Sequence, residues 1–318
     1  MDLFVARFLA LDRVPKYLPL GLVDSQDKQL TLIQRTICDP YTVRFPLPPL
    51  NRQDLLNSIL RTCEDERVPV NERVYEELAL LMNTKSETRI HFGIFKLPRK
   101  NIPFQVHGDP GALVQQGSTG FITWEAGKCM SWYLSTQIDL SNKTVLELGC
   151  GNGVAGIIAA AHASCLRNYC FTDHHESTLK QAERNWEHNF EDTKDSVALF
   201  RLVDILNHTD EACDVDFLVG ADILFDKDLC EGVVRMLESS LCKFKEALIF
   251  TTIRTEETYE NFINRLDQSI NLAWKPLIRG RLSDWIDRSA DDIWRVFLGS
   301  STQLFDPVIE LVSICKKF

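Results

Sequence analysis

Beyond about residue 117 the chain alternates between two apolar rhythms. Short runs dense in β-branched and aromatic residues, at 144–148, 169–173, 197–203, 216–222 and 247–253, predict five strands. Between them, residues 154–163, 177–189, 227–241 and 256–266 carry apolar side chains at helical spacing. Two later runs, 293–298 and 308–314, predict a terminal antiparallel pair. Strands separated by helices require crossover connections, so the expected fold class is α/β, with a mainly parallel sheet covered on both faces. In such sheets ligands bind past the carboxyl ends of the strands, where strand order reverses. Chemistry is therefore expected in the residues directly after each strand.

The N-terminal third follows a different pattern. Segments 52–63 and 71–83 have helical periodicity and are set apart by the proline-rich stretch at 45–50 and by Pro69. Short helices joined by irregular turns are predicted there. The expected organisation is a helical accessory region over 1–110 ahead of an α/β domain over 111–318. The accessory region carries no glycine loop and no carboxylate at a strand end, so its expected use is substrate recognition or packing.

Charge and cysteine usage narrow the partners. With 35 Lys and Arg against 45 Asp and Glu, the formal net charge is -10. That balance argues against a nucleic-acid backbone, which needs clustered basic side chains, and suits a basic protein substrate. The ten cysteines form no Cys-x-x-Cys pair and most lie in or beside apolar segments, which fits free thiols in a reducing compartment such as the cytoplasm. His174 and His175 are adjacent, which is poor spacing for two ligands on one helical face, and no metal site is expected. No apolar run is long enough to span a membrane. The stretch 1–10, carrying Asp2 and Arg7, does not read as a signal peptide.

The richest loop follows the first strand of the α/β region: Glu147-Leu148-Gly149-Cys150-Gly151-Asn152-Gly153-Val154-Ala155-Gly156. Glycines permit positive φ and close backbone approach to a ligand, and the helix that follows points its positive end at that ligand. Residues 151–156 satisfy the dinucleotide pattern G-x-G-x-x-G, with Asp173 downstream. Glu147 argues for a different cofactor. A carboxylate two positions before the first glycine repels a pyrophosphate but pairs with the cationic amino group of a methionine moiety. The run E-x-G-x-G-x-G is the one methyltransferases use, and S-adenosylmethionine is the expected cofactor. Asp173 can accept both ribose hydroxyls, or cap the following helix. Asp204 and Ile205 follow the third strand, where a side chain lines an adenine pocket, although an Asp there is also an ordinary turn residue. In Ala221-Asp222-Ile223-Leu224-Phe225, Ala221 is small enough for close cofactor approach. Asp222 can capture an incoming lysine ammonium, and Phe225 offers an aromatic wall that favours a cation. The alternative for Asp222 is capping the helix near Lys227. Upstream, Thr123 is the expected cap of a helix, and Trp124, judged from the residues alone, is expected in the core.

These motifs together resemble the seven-strand protein methyltransferases that act on lysines of non-histone proteins. The matching pieces are residues 119–126 (TGFITWEA), 145–156, Thr172-Asp173 and 221–225. Within that group the likeness is to the eukaryotic elongation factor 2 lysine methyltransferases, and it extends to 250–254 (FTTIR) and the helical N-terminal region. The resemblance implies a seven-strand Rossmann-like fold and a protein acceptor, a lysine of elongation factor 2. It implies cofactor contacts at Trp124, Gly149, Cys150, Gly151, Asp173 and Ala221, which moves Trp124 from core residue to cofactor contact. Two positions depart from the family pattern. Ile205 stands where a Trp is usual, keeping an apolar wall without stacking, and Phe225 ends a D-x-x-Y pattern without its hydroxyl. Rival readings are the same fold acting on a chaperone or calmodulin lysine, a cofactor-binding scaffold without catalysis, and a nicotinamide-dependent oxidoreductase, which Glu147 disfavours.

Overall fold

The computed structural model describes residues 1–83, 90–106, 118–191, 197–207, 213–300 and 306–317. The chain divides into two compact units, Met1–Ala112 with Ser300–Thr302, and Leu113–Gly299 with Gln303–Phe318. The domain boundary expected at 110 falls outside the described residues.

The first unit contains helices α1 (Asp2–Leu9), α2 (Gln26–Gln34), α3 (Pro40–Arg44), α4 (Pro49–Asp65) and α5 (Glu72–Asn83), then strands β1 (His91–Lys96) and β2 (Asn101–Val106). Local chemistry marks its helix starts. The Asp39 carboxylate accepts the Tyr41 N–H at 2.8 Å ahead of α3, and α4 opens on Pro49, whose missing N–H costs nothing in a first turn. Val5, Phe8, Leu32, Ile33, Leu55, Ile59 and Phe92 build its core. The antiparallel β1–β2 hairpin was not foreseen in a region read as helical. Its register sets Gly93 opposite Phe104, and that ring fills the space a Gly93 side chain would need.

The second unit contains α6 (Glu125–Thr136), β3 (Thr144–Leu148), α7 (Val154–His162), β4 (Asn168–Asp173), α8 (Glu176–Phe190), β5 (Val197–Leu202), β6 (Cys213–Ala221), α9 (Lys227–Glu238), β7 (Cys242–Thr252), α10 (Glu256–Gln268), β8 (Leu272–Arg281), α11 (Leu282–Arg288), α12 (Asp292–Gly299) and β9 (Val308–Lys316). A seven-stranded sheet runs in the order β5-β4-β3-β6-β7-β9-β8. The five strands β5, β4, β3, β6 and β7 are mutually parallel, and β9 lies antiparallel to both β7 and β8. This is the α/β, Rossmann-like architecture expected. One core joins the sheet to α9 and α10 through Leu148, Leu218, Val233, Leu237, Ile249, Phe262 and Val312. The chain steps outward from β3 to β4 and β5, then returns to lay β6 on the other side of β3. That reversal opens a crevice at the carboxyl ends of β3 and β6.

The terminal strand pair needs correction. Residues 293–298 belong to α12, in which Trp294, Phe297 and Leu298 are buried at i, i+3 and i+4, a helical stripe rather than a strand's alternation. The antiparallel partner of β9 is β8, whose mostly exposed side chains and internal Pro276 hide it from a search for apolar runs. An edge strand tolerates that proline, and the register shifts between Pro276 and Ile278. Among the described residues, no helix is long and apolar enough to cross a membrane, and no group of three His, Cys, Asp or Glu could hold a metal ion.

Candidate active site

The loop after β3 turns on three glycines with positive φ: Gly149 at 61°, Gly151 at 54° and Gly153 at 75°. A Cβ on Gly151 would stand 2.8 Å from the Gly120 carbonyl oxygen, and one on Gly153 would stand 2.8 Å from the Ala182 Cβ. The glycines therefore let the loop lie flat against neighbouring backbone. Side chains then lock it. Asp173, at the end of β4, accepts the Gly151 N–H at 3.1 Å through one oxygen and the His175 N–H at 2.9 Å through the other. Asn152 donates to the Thr123 hydroxyl at 3.0 Å, and its carbonyl accepts from the Asn185 amide at 2.9 Å.

A cleft with about 150 Å³ of enclosed space opens over this loop. Of the residues singled out in the sequence, Trp124, Glu147, Gly149, Cys150, Gly151, Asp173, Ile205, Ala221, Asp222 and Phe225 all line it. Asp204 does not. It is exposed, and its carboxylate accepts from Leu206 N and from the Asn207 amide, both at 2.9 Å, in a local turn. It borders the adjoining cleft, together with Ile205, Phe225 and Leu229.

Each strand end sets its side chain differently. Glu147 is 2 % exposed and its Oε2 accepts the Tyr169 hydroxyl at 3.0 Å. Burial pushes its carboxyl up to about 8, with the Asp173 charge adding to the rise and the Tyr169 bond opposing it. Asp222 sits at φ 54°, a left-handed conformation that Asp tolerates better than most residues. Its Oδ1 accepts the Thr252 N–H at 2.8 Å and its Oδ2 accepts the Thr252 hydroxyl at 3.0 Å. The Arg254 guanidinium lies 3.5 Å from Oδ2. Burial raises the Asp222 carboxyl above its usual range, against the bonds from Thr252 and the charge of Arg254. Capping of α9 falls instead to Asp226, which accepts the Asp228 N–H at 2.8 Å.

Two local expectations change. The N-cap position of α6 is Trp124, not Thr123, whose hydroxyl is engaged with Asn152. Trp124 is not a core residue: half-buried, it lines the cleft, donates from Nε1 to the Thr119 carbonyl at 3.1 Å and carries Arg254 over its ring at 4.8 Å. Sequence reasoning missed Tyr169, Thr252 and Arg254 as members of this site. Only register, which brings β6 beside β7 with Ala221 opposite Phe250, carries Thr252 to Asp222.

The cleft's charge selects its ligand. Glu147, Asp173 and Asp222 line it, and no Lys or Arg is among its lining residues. The Arg254 guanidinium at its edge is already engaged with Asp222, so a pyrophosphate gains little there, whereas a ligand with an ammonium group and vicinal hydroxyls finds acceptors for both. Against known families, residues 113–269 match the lysine methyltransferase profile. Over residues 113–269 the chain belongs to the lysine methyltransferase family. The methyltransferase is 28% identical over 321 residues to the protein-lysine N-methyltransferase EEF2KMT of Mus musculus, covering 93% of this chain and 94% of that one. It is 24% identical over 295 residues to the Homo sapiens EEF2KMT, covering 86% and 88%. To the protein-lysine N-methyltransferase EFM3 of Saccharomyces cerevisiae it is 28% identical over 232 residues, covering 64% and 65%. It is thus an S-adenosylmethionine-dependent protein-lysine N-methyltransferase, and the cleft's acidic lining and glycine-shaped floor fit that cofactor.

Proposed function

We propose that this methyltransferase modifies a lysine of elongation factor 2, in the cytoplasm. The observation that carries the reading is the cleft lined by three acidic residues and by no Lys or Arg. Likeness to the EEF2KMT proteins along 93% of the chain supports the choice of acceptor. In this reading Glu147 faces the amino group of the methionine moiety, Asp173 takes the ribose hydroxyls, and Ile205 is the apolar wall for the adenine. Gly149, Cys150, Gly151 and Ala221 provide close backbone approach, and Trp124 borders the methionine end. Asp204 shapes the turn beside the adenine rather than bonding the cofactor. The unit over 1–110 recognises the acceptor protein.

When bound, the cofactor supplies a methyl group on a positively charged sulfur. The chain's own residues hold the acceptor amine in line with the methyl–sulfur bond, because near-attack geometry is what makes such a transfer fast. Asp222 receives the lysine as its ammonium and Phe225, 63% exposed at the cleft mouth, guides the alkyl stem. The ammonium would pass its proton to water, and the amine so freed would take the methyl as the methyl–sulfur bond breaks, leaving a neutral thioether.

The test is methylation of purified elongation factor 2 with labelled S-adenosylmethionine, followed by mass spectrometry of its lysines, alongside a lysate from cells lacking the enzyme. A labelled lysine in elongation factor 2 supports the proposal. Label confined to another protein, such as a chaperone or calmodulin, would move the acceptor. Absence of label in every protein would return the chain to a cofactor-binding scaffold.

A further inference from the structure

Arg254 lies two residues past β7, close to the cleft but not among its lining residues. Its side chain, 43% exposed, reaches back to two groups that do line it. The guanidinium lies 3.5 Å from Asp222 Oδ2 and its central carbon 4.8 Å over the Trp124 ring. Trp124 is held in that attitude by its indole N–H bond to Thr119, and Asp222 by the paired bonds from Thr252. A carboxylate beside an aromatic face is a seat for an organic cation. A lysine ammonium, though compact where a guanidinium is planar, is a cation that the same carboxylate and ring face attract.

We propose that Arg254 is an internal stand-in for the acceptor lysine: its guanidinium occupies the cation seat formed by Asp222 and Trp124 in the free enzyme, and the incoming ammonium displaces it. The inference rests on the reading of Asp222 as the group that receives the acceptor. Its physical logic has two parts. A buried carboxylate left without a cation carries a large desolvation cost, so a resident cation keeps Asp222 charged and in place until the acceptor arrives. The guanidinium is itself 43% exposed and stands 3.5 Å from Oδ2, longer than a strong charge-assisted hydrogen bond, so this resident can leave for water. Arg254 in this role sets the concentration at which acceptor binds and touches neither cofactor nor methyl group.

The probe is n-butylammonium, the cationic end of a lysine, titrated into the full-length protein saturated with S-adenosylhomocysteine. Binding is read from intrinsic fluorescence, with Trp124→Phe as the blank that assigns the signal. Arg254→Ala should bind butylammonium with a half-saturating concentration five- to tenfold below wild type, and its KM for elongation factor 2 should fall in the same direction. Arg254→Lys, which restores a cation, should return the half-saturating concentration toward the wild-type value. An unchanged or higher value in Arg254→Ala overturns the stand-in and makes Arg254 a fixed support of Asp222. The double variant Asp222→Asn with Arg254→Ala should lose the gain. Tight butylammonium binding without the Asp222 charge would instead sink the reading of Asp222 on which the inference rests, so the two failures are distinct.

Discussion

Glu147 makes the stability of the free protein depend on pH. Its group is pushed up to about 8 in the folded chain by burial, well above the unfolded value of 4.5. Between those two values the folded state holds a proton that the unfolded state has released, so stability falls as pH rises. Relative to Glu147→Gln, which never ionises, wild type should be of comparable stability below about pH 4.5 and lose ground progressively up to about pH 8. The loss should reach a few kcal/mol, since each shifted unit is worth about 1.4 kcal/mol. Urea unfolding of both proteins without cofactor, across that pH range, measures it; parallel curves would show that the Tyr169 bond fully compensates the burial. Asp222 gives a second residue-scale expectation. Asparagine tolerates the same left-handed backbone and can still accept from Thr252, so Asp222→Asn removes charge with little strain. Single-turnover methyl transfer at saturating cofactor should fall about a hundred- to a thousandfold, the scale for losing one preorganised charged group. Cofactor affinity should stay within a few-fold. Near-wild-type turnover would leave the acceptor's partner unidentified.

At the scale of elements, the glycine loop decides whether the cleft has a floor. Gly151→Ala combines a φ of 54° with a Cβ 2.8 Å from the Gly120 carbonyl, a backbone atom that cannot swing away. The loop should lift, and S-adenosylmethionine affinity measured by calorimetry should drop by about tenfold or more while the far-ultraviolet spectrum persists; unaltered affinity would show that the loop has slack. This loop was legible from the residues alone because its chemistry is local: three glycines, a strand before and a helix after. So were the five parallel strands, each a compact apolar run. What escaped was non-local. Strand β8 shows no apolar run because one side of it faces water, and α12 imitates a strand because Ile293, Trp294, Val296, Phe297 and Leu298 crowd together. Thr252 and Arg254 are thirty or more positions from Asp222, and no spacing rule reaches across a sheet.

For the whole molecule, the division of labour between the two units is testable by truncation. A chain beginning near Gly108 retains every residue of the cleft described above. It should bind S-adenosylmethionine within a few-fold of the full chain yet methylate intact elongation factor 2 at a small fraction of the full-length kcat/KM. Undiminished kcat/KM by a folded truncation would remove the recognition role from residues 1–110. A second consequence comes from the place of β9. It lies between β7 and β8, although both precede it in the chain. During synthesis on the ribosome, β7 therefore waits with one backbone edge bare, and β8 has no sheet neighbour at all, until residues 308–316 have emerged. Bare edges of that kind recruit other strands. Nascent chains arrested anywhere between Arg281 and Val308 should accordingly be chaperone clients, protease-sensitive and prone to pair with one another. Release of residues 308–316 from the exit tunnel should mark the moment of protection, and pulse proteolysis of stalled chains of increasing length would reveal whether protection arrives there or earlier.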